Sequence, residues 1–385
     1  MLAYILRRLL LVIPTLLGIM VINFTLTQFV PGGPIQQIAA KIEDERSGMA
    51  KGNGADAGAA AAATQGQESG DYIGARGLPP EFIAQLEVEF GFSRIVCDAS
   101  FTGTPNLKDP ACRKEKIPAL ERFFIMMGKY LRFDFGQSYF RSTDVTSLIL
   151  QKLPVSITLG LWSTLLAYLI SIPLGIRKAV RDGSKFDIWT SGIIVGAYSI
   201  PSFLFALILL ELFAGGSFLK LFPLRGIVSE NWADLSPIAK VGDYLWHITL
   251  PVTAQLVGAF TTLTMLTKNS FLEEIGKQYV MTARAKGLSE RAVLYGHVFR
   301  NAMLIVISGF PGAFLAIFFG SSLLIERIFT LDGLGLLGFN SVVQRDYPVV
   351  FGTLFAFGLL SLVVGILSDL TYVMVDPRID FETRG

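Results

Sequence analysis

Six apolar stretches, near 9–29, 154–176, 188–214, 248–267, 302–325 and 350–375, constrain the fold of this chain more than any other feature. Crossing a hydrocarbon core of ~30 Å takes ~20 apolar residues in a helix, and each stretch is of about that length. A chain of 385 residues that is 52% hydrophobic and holds only two histidines is too apolar for a soluble enzyme. The expected class is an all-α membrane protein with six transmembrane helices. Arg7 and Arg8 precede the first stretch as they would in a signal peptide, but no small-residue cleavage site follows before Pro31. The first stretch is therefore read as a retained anchor.

Lysine and arginine in short loops stay preferentially on the cytosolic side. Arg7 and Arg8 precede the first span, while Arg177, Lys178, Arg181 and Lys185 fill the short loop between the second and third. Lys268, Lys277, Arg284, Lys286, Arg291 and Arg300 lie between the fourth and fifth. In a six-span arrangement all three groups fall on one side, which places both termini in the cytosol. The loops opposite, 215–247 and 326–349, balance their cations with comparable numbers of acids.

Residues 31–153 then form one long extracytoplasmic region between an N-terminal span (1–30) and a five-helix core (154–385). Its 47–77 tract, rich in glycine and alanine, carries too few large apolar groups to offset the entropy of ordering, so a disordered loop is expected there. From Leu78 onward Phe82, Leu86 and Phe90 recur at helical spacing, and this half is expected to fold. It contains both cysteines, Cys97 and Cys112. A disulfide between them would close a loop of about 15 residues and stabilise it by ~3 kcal/mol in an oxidising compartment. Two unrelated thiols are the alternative. Two sulfurs with no nearby histidine fall short of the four ligands of a zinc site, and no metal is expected.

The stretch YVMTARAKGLSERAVLYGHVFRN, from Tyr279 to Asn301, is a charged island inside loop 268–301. A short helix from about Phe271 to Lys286 would need a left-handed residue just past its last turn, which Gly287 supplies without a Cβ clash. Ser289 can cap a second helix, with Glu290 in its first turn where the dipole favours an acid. The island reads as helix, turn, helix.

Gly287, nine further residues and then His297 give the spacing of the EAA loop of ABC importer permeases. The TARAKG core and the H…RNA ending resemble the peptide and nickel branch of that family, and DPRIDFE (376–382), SITLGLWSTL and LTKNSFL narrow the resemblance to the YejB type of peptide permease. Met281, Thr282 and Ala283 stand where the general pattern has Glu, Ala, Ala. RFDFGQSYFRSTDV (132–145) and the GLG and RDYP of the loop after the fifth span also resemble the family, although Asp332 stands where proline is common. The resemblance implies a type I ABC importer permease fold with a long periplasmic loop after the first span, in a bacterial inner membrane. It further implies that Tyr279, Thr282, Ala283, Arg284, Ala285, Lys286 and Gly287 form a coupling helix resting in a groove of a cytoplasmic ATPase. Implied partners are a second, homologous permease, two ATPase domains that use ATP and Mg, a periplasmic peptide-binding protein and the peptide itself.

No G-x-x-x-x-G-K-[ST] loop occurs in the chain, so phosphate cradling must come from another polypeptide. His247 and His297 have no second ligand at helical spacing, and Ser163, Ser171 and Ser199 have no base nearby in sequence, so no catalytic residue is assigned and no cofactor is expected in this chain. Asp369, Glu211 and Asn23 are polar groups inside apolar runs; helix packing is favoured over substrate contact for Asp369, and Asn23 is placed to bond a partner helix. Pro173, Pro201, Pro251 and Pro311 mark candidate kinks. The rival class is a proton-coupled secondary peptide carrier, which should show internal repeats and proton-relay carboxylates.

Overall fold

A computed structural model of the chain describes residues 2–29, 33–35, 38, 80–98, 104–107, 109–215, 218–319 and 323–375. The tract read as disordered, 47–77, lies outside these residues, as does the 376–382 ending. The chain begins with α1 (Leu2–Phe29), followed by α2 (Pro80–Glu89), an antiparallel pair of strands β1 (Ser93–Cys97) and β2 (Cys112–Lys116), and α3 (Ala119–Tyr130). Then come α4 (Val145–Val180), α5 (Lys185–Tyr198), α6 (Ser202–Phe213) and α7 (Pro237–Ile275). The remainder is α8 (Gln278–Ala285), α9 (Glu290–Val293), α10 (Phe299–Phe319), α11 (Leu323–Ile328), α12 (Leu334–Gln344) and α13 (Tyr347–Val375). The β-hairpin is a local addition to an otherwise helical architecture.

Among the described residues, five segments are long and apolar enough to cross a membrane: Leu6–Phe29, Val145–Val180, Pro237–Ile275, Glu290–Phe310 and Tyr347–Leu367. A sixth arises if α5 and α6 together make one crossing, with a bend of 94° between them. The bend falls at Pro201, which has no N–H to continue the helix and instead stands at the N-cap of α6 with φ −53° and ψ 135°. Pro173 and Pro251, in contrast, lie inside continuous helices. α7, with 39 residues, is about 58 Å long, well beyond the hydrocarbon thickness.

The chain divides into two compact units. The first comprises residues 1–13, 149–339 and 358–385. One of its cores gathers Ala167, Ile176, Ala179, Leu263, Phe271, Val280, Ala283, Val293, Val298, Ala302, Met303 and Val306, and so joins α4, α7 and the charged island to α10. A second core centres on Leu159, Ala206, Ile248, Leu250, Val252, Ala254, Ile325 and Phe329. Asp369 pairs with Arg8 at 2.9 Å, which ties α13 to α1. The fully buried Glu326 accepts N–H bonds from Leu336 at 2.6 Å and Gly335 at 3.4 Å, and Ser156 accepts from Leu334 at 2.9 Å, so the open N-terminus of α12 is capped by one side chain of the preceding helix and one remote in sequence. Asp332, where the resemblance leads to an expectation of proline, pairs with Lys152.

The second unit comprises residues 14–148 and 340–357. Ile83 and Leu86 of α2 are buried with Ile35, while Phe82 and Phe90, the other members of the expected helical spacing, pack against them only partly buried. Cys97 and Cys112 stand opposite one another at the end of the two-stranded ladder and are joined by a disulfide. Phe135 is buried between Tyr130 and Phe355. Asn23 donates to the carbonyl of Ile19 at 2.8 Å, within its own helix, in place of the cross-helix bond its position suggested.

Candidate functional site

The charged island is built on the end of α7. That helix stops at Ile275, capped by Gly276, and the chain turns through Lys277, whose extended ψ of 152° starts α8 in a new direction. The single helix expected over 271–286 is therefore two, broken where a glycine removes the side chain that would hold the helical register. Glu274 anchors the break: its carboxylate accepts from the Tyr279 hydroxyl at 2.6 Å and pairs with Lys277. Partial burial, together with that carboxylate, holds the Tyr279 hydroxyl above its ordinary pKa, so it stays a donor.

α8 ends as its sequence dictates. Gly287 adopts φ +82°; its N–H bonds the carbonyl of Arg284 at 2.9 Å, and the N–H of Leu288 reaches the carbonyl of Ala283 at 3.4 Å. This pair of bonds is a Schellman stop, which needs the left-handed residue that glycine provides. Ser289 then accepts from the N–H of Ala292 at 3.3 Å and starts α9. Arg284 closes the hairpin with a two-pronged contact to Glu290, Nε to Oε1 at 3.0 Å and Nη2 to Oε2 at 3.1 Å.

Between α9 and α10 lies a π-helical turn, Leu294–Val298. Its wider i→i+5 winding puts Val293 and Val298 on one face, and both are buried in the core that also takes Val280 and Ala283. Burying a valine such as Val280 contributes roughly 1.5–3 kcal/mol relative to leaving it exposed, so α8 is bolted to its own subunit by this face.

The seven residues singled out from the sequence thus divide by direction. Ala283 is buried and Tyr279 is half-buried, both turned toward the subunit's own core. Thr282, Arg284, Ala285, Lys286 and Gly287 are exposed on the opposite side. Two residues join that outer face that the sequence reasoning did not select, Met281 at 64% exposure and Leu288 at 41%. The signal for Met281 was present, a large apolar side chain ~100° round the helix from Val280 and ~160° from Ala283, whereas Leu288 lies past the Gly287 stop, where helical periodicity no longer applies. The outer face is thus a short, basic ridge with apolar flanks. Such a surface suits docking into a groove of another protein; it contains no paired acid and base for chemistry. Among the described residues no group of three or more His, Cys, Asp or Glu side chains could hold a metal ion.

Residues 171–381 match the model of the binding-protein-dependent transport system inner membrane component. The chain belongs to this family. It is 57% identical over 386 residues to the peptidoglycan transport system permease protein YejB of Agrobacterium fabrum, with 99% of each chain covered. It is 54% identical to the inner membrane ABC transporter permease protein YejB of Escherichia coli O157:H7, covering 99% of this chain and all of that one. The oligopeptide transport system permease protein AppB of Bacillus subtilis is 31% identical over 99% of this chain and 100% of its own length. As a member of this family the chain is an integral, multi-pass membrane permease, a transport component and not an enzyme in its own right.

Proposed function

We propose that this chain is one of two homologous membrane-spanning subunits of an ATP-driven ABC importer of type I fold that moves oligopeptides or peptide-like compounds across a bacterial inner membrane. Both termini and the charged hairpin face the cytosol. There Met281, Thr282, Arg284, Ala285, Lys286 and Leu288 present the ridge that enters a groove of a partner ATPase, while Tyr279, Val280 and Ala283 fasten it to the spans. ATP and Mg are used by that partner, and a periplasmic binding protein delivers the peptide. Closure of the two ATPase domains displaces the hairpins, and the spans alternate between outward and inward access.

The observation that carries the reading is the two-faced α8: one face buried in the permease core, the other exposed and basic with apolar flanks, in a chain of the binding-protein-dependent transport family. The relatives' names favour peptide-like cargo and differ on which: one is named for peptidoglycan transport, another for oligopeptide transport. Nothing in the family assignment favours the proton-coupled carrier.

The deciding experiment is co-purification of this chain with the second permease and the ATPases, followed by reconstitution in vesicles with the binding protein. The expected result is ATP hydrolysis stimulated by loaded binding protein and uptake of labelled peptide that requires ATP, with cell-wall peptides and linear oligopeptides competed against each other to rank the cargo. Uptake driven by a proton gradient in the absence of ATP would overturn the proposal.

A further inference from the structure

The last turn of α4, the first turn of α5 and the far end of α7 meet around a group of charges, from fully buried Lys178 to partly buried Lys268, that lies apart from the exposed ridge of α8. Lys178 of α4 has no exposed surface. Its ammonium lies 3.0 Å from Asp187 Oδ1 and donates to the Asp187 carbonyl at 3.0 Å, to Thr190 Oγ1 at 2.8 Å and to Ser191 Oγ at 2.7 Å. Lys268 of α7 donates to Asp187 Oδ2 at 2.7 Å and to Asp182 Oδ1 at 2.8 Å. The N–H of Gly183 also reaches Asp187 Oδ2, at 3.2 Å. Asp187 is thus a shared centre: it sits on α5 and holds a lysine from each of the two neighbouring helices.

Sterics fix the same place. Gly175 of α4 lies so close to α7 that a Cβ there would come within 2.6 Å of Thr267 Cβ and 2.9 Å of the Thr264 carbonyl oxygen. This contact is one turn from Lys178 on α4 and adjacent to Lys268 on α7, so close approach and ion pairing act at one level of the structure.

Stability alone gives little reason for charge here, since well-packed apolar residues of similar volume often match or exceed a buried ion pair. Directional bonds to a common carboxylate do something apolar packing does less well, which is to fix three helix ends in one relative orientation. Lys268 stands seven residues before the end of α7, about 10 Å along an unbroken helix from the turn into α8.

We propose that Lys178, Asp187 and Lys268 form an ionic joint that locks the α4–α5 turn to the α7 shaft, with Lys268 and Asp187 as positioning residues, so that a displacement of the charged hairpin carries α4, α5 and α7 as one body. The transport consequence rests on the function proposed above; the mechanical lock does not.

Two readouts test it, in the complete complex reconstituted in vesicles. Spin labels are placed at Lys185→Cys and Glu273→Cys, both exposed positions, on a background whose own two cysteines are bonded to each other. The mean label distance should stay within about 2 Å between the nucleotide-free and ATP-trapped states, the scale of ordinary helix adjustment. Lys268→Met should broaden that distribution and lower peptide taken up per ATP hydrolysed about fivefold, with assembly and basal hydrolysis unchanged, whereas Lys268→Arg, which keeps the charge, should restore both. A clear shift of the wild-type distance on ATP trapping would overturn the joint, as would a Lys268→Met complex equal to wild type in both readouts. Should Lys268→Met fail to assemble, the wild-type distance decides alone. If the wild-type complex shows no ATP-dependent uptake, the transport reading falls separately, and the resting widths of wild type and Lys268→Met still decide the joint.

Discussion

At Gly287 the backbone stands at φ +82°, and nothing lies within 4 Å of the place a Cβ would take. Substitution there meets backbone strain without a steric clash. Alanine must hold a left-handed conformation at a cost of about 1 kcal/mol, and a β-branched valine more, or the helix must run past its stop. Either outcome rotates the exposed ridge by as much as ~100° per residue of slippage, away from any groove shaped to receive it. Gly287→Val is expected to leave expression and pairing with the second permease near wild type while abolishing most peptide uptake; wild-type uptake and binder-stimulated hydrolysis in that variant would remove the turn from the coupling path. The Arg284–Glu290 contact is a weaker part of the hairpin. Both side chains are largely exposed, so Arg284→Ala should cost at most ~1 kcal/mol of stability, measured as the melting of the purified complex. Gly287 and Ser289 were legible in the sequence because a stop and a cap are local chemistry. Gly276 was not, since a glycine amid LEEIGKQYV carries no periodic signal that tells a break from a tolerated helix residue.

The elements repeat this contrast between local and remote determinants. α8 has one buried face and one exposed face one residue apart, which permits a paired test. Val280→Asp places an unpartnered carboxylate in a closed core and is expected to lower the yield of assembled complex severely. Met281→Asp, on the exposed side, should leave the melting temperature of the permease unchanged and weaken retention of the ATPases during purification. Equal effects of the two substitutions would remove the two-faced assignment. The strand pair offers a second test. The Cys97–Cys112 bridge spans 15 residues, and Cys97→Ser is expected to loosen the hairpin by ~3 kcal/mol, read as faster hydrogen exchange at 93–97 and 112–116, with the spans unaffected. The π turn at Leu294–Val298 was invisible beforehand because Val293 and Val298 match a helical face only once five-residue winding is assumed. Pro201 was read as a kink, and the structure makes it a 94° break, because the proline begins a new helix after a Ser-Ile pair that ends the old one.

On the scale of the whole molecule, the apolar runs were legible because each is a solvent effect written into consecutive residues. The two compact units were not, since Arg8 finds Asp369 and Ser156 caps α12 only through pairings remote in sequence. Orientation is the property that most depends on summed weak signals, and the structure changes the sum. Lys178, buried, and Lys268, partly buried, were counted from the sequence as loop cations and are both paired with Asp187. Arg177, Arg181 and Lys185 remain exposed on the α4–α5 turn, and Lys277, Arg284, Lys286, Arg291 and Arg300 on the island. With α5 and α6 making one bent crossing, both sets lie at the same end of a six-span path, and an excess of exposed cations near span ends is what retains a loop in the cytosol. The expectation of a cytosolic hairpin and termini thus does not depend on the two lysines of the ionic group. A single cysteine at Leu288, exposed beside the ridge, should react with a membrane-impermeant maleimide only after vesicles or cells are opened, while one at Ser236, exposed before α7, should react from the outside in intact cells. The native Cys97 and Cys112 are bonded to each other and leave no background label. The reverse pattern, with Leu288→Cys labelled from outside, would invert the topology and with it the assignment of the hairpin to an ATPase.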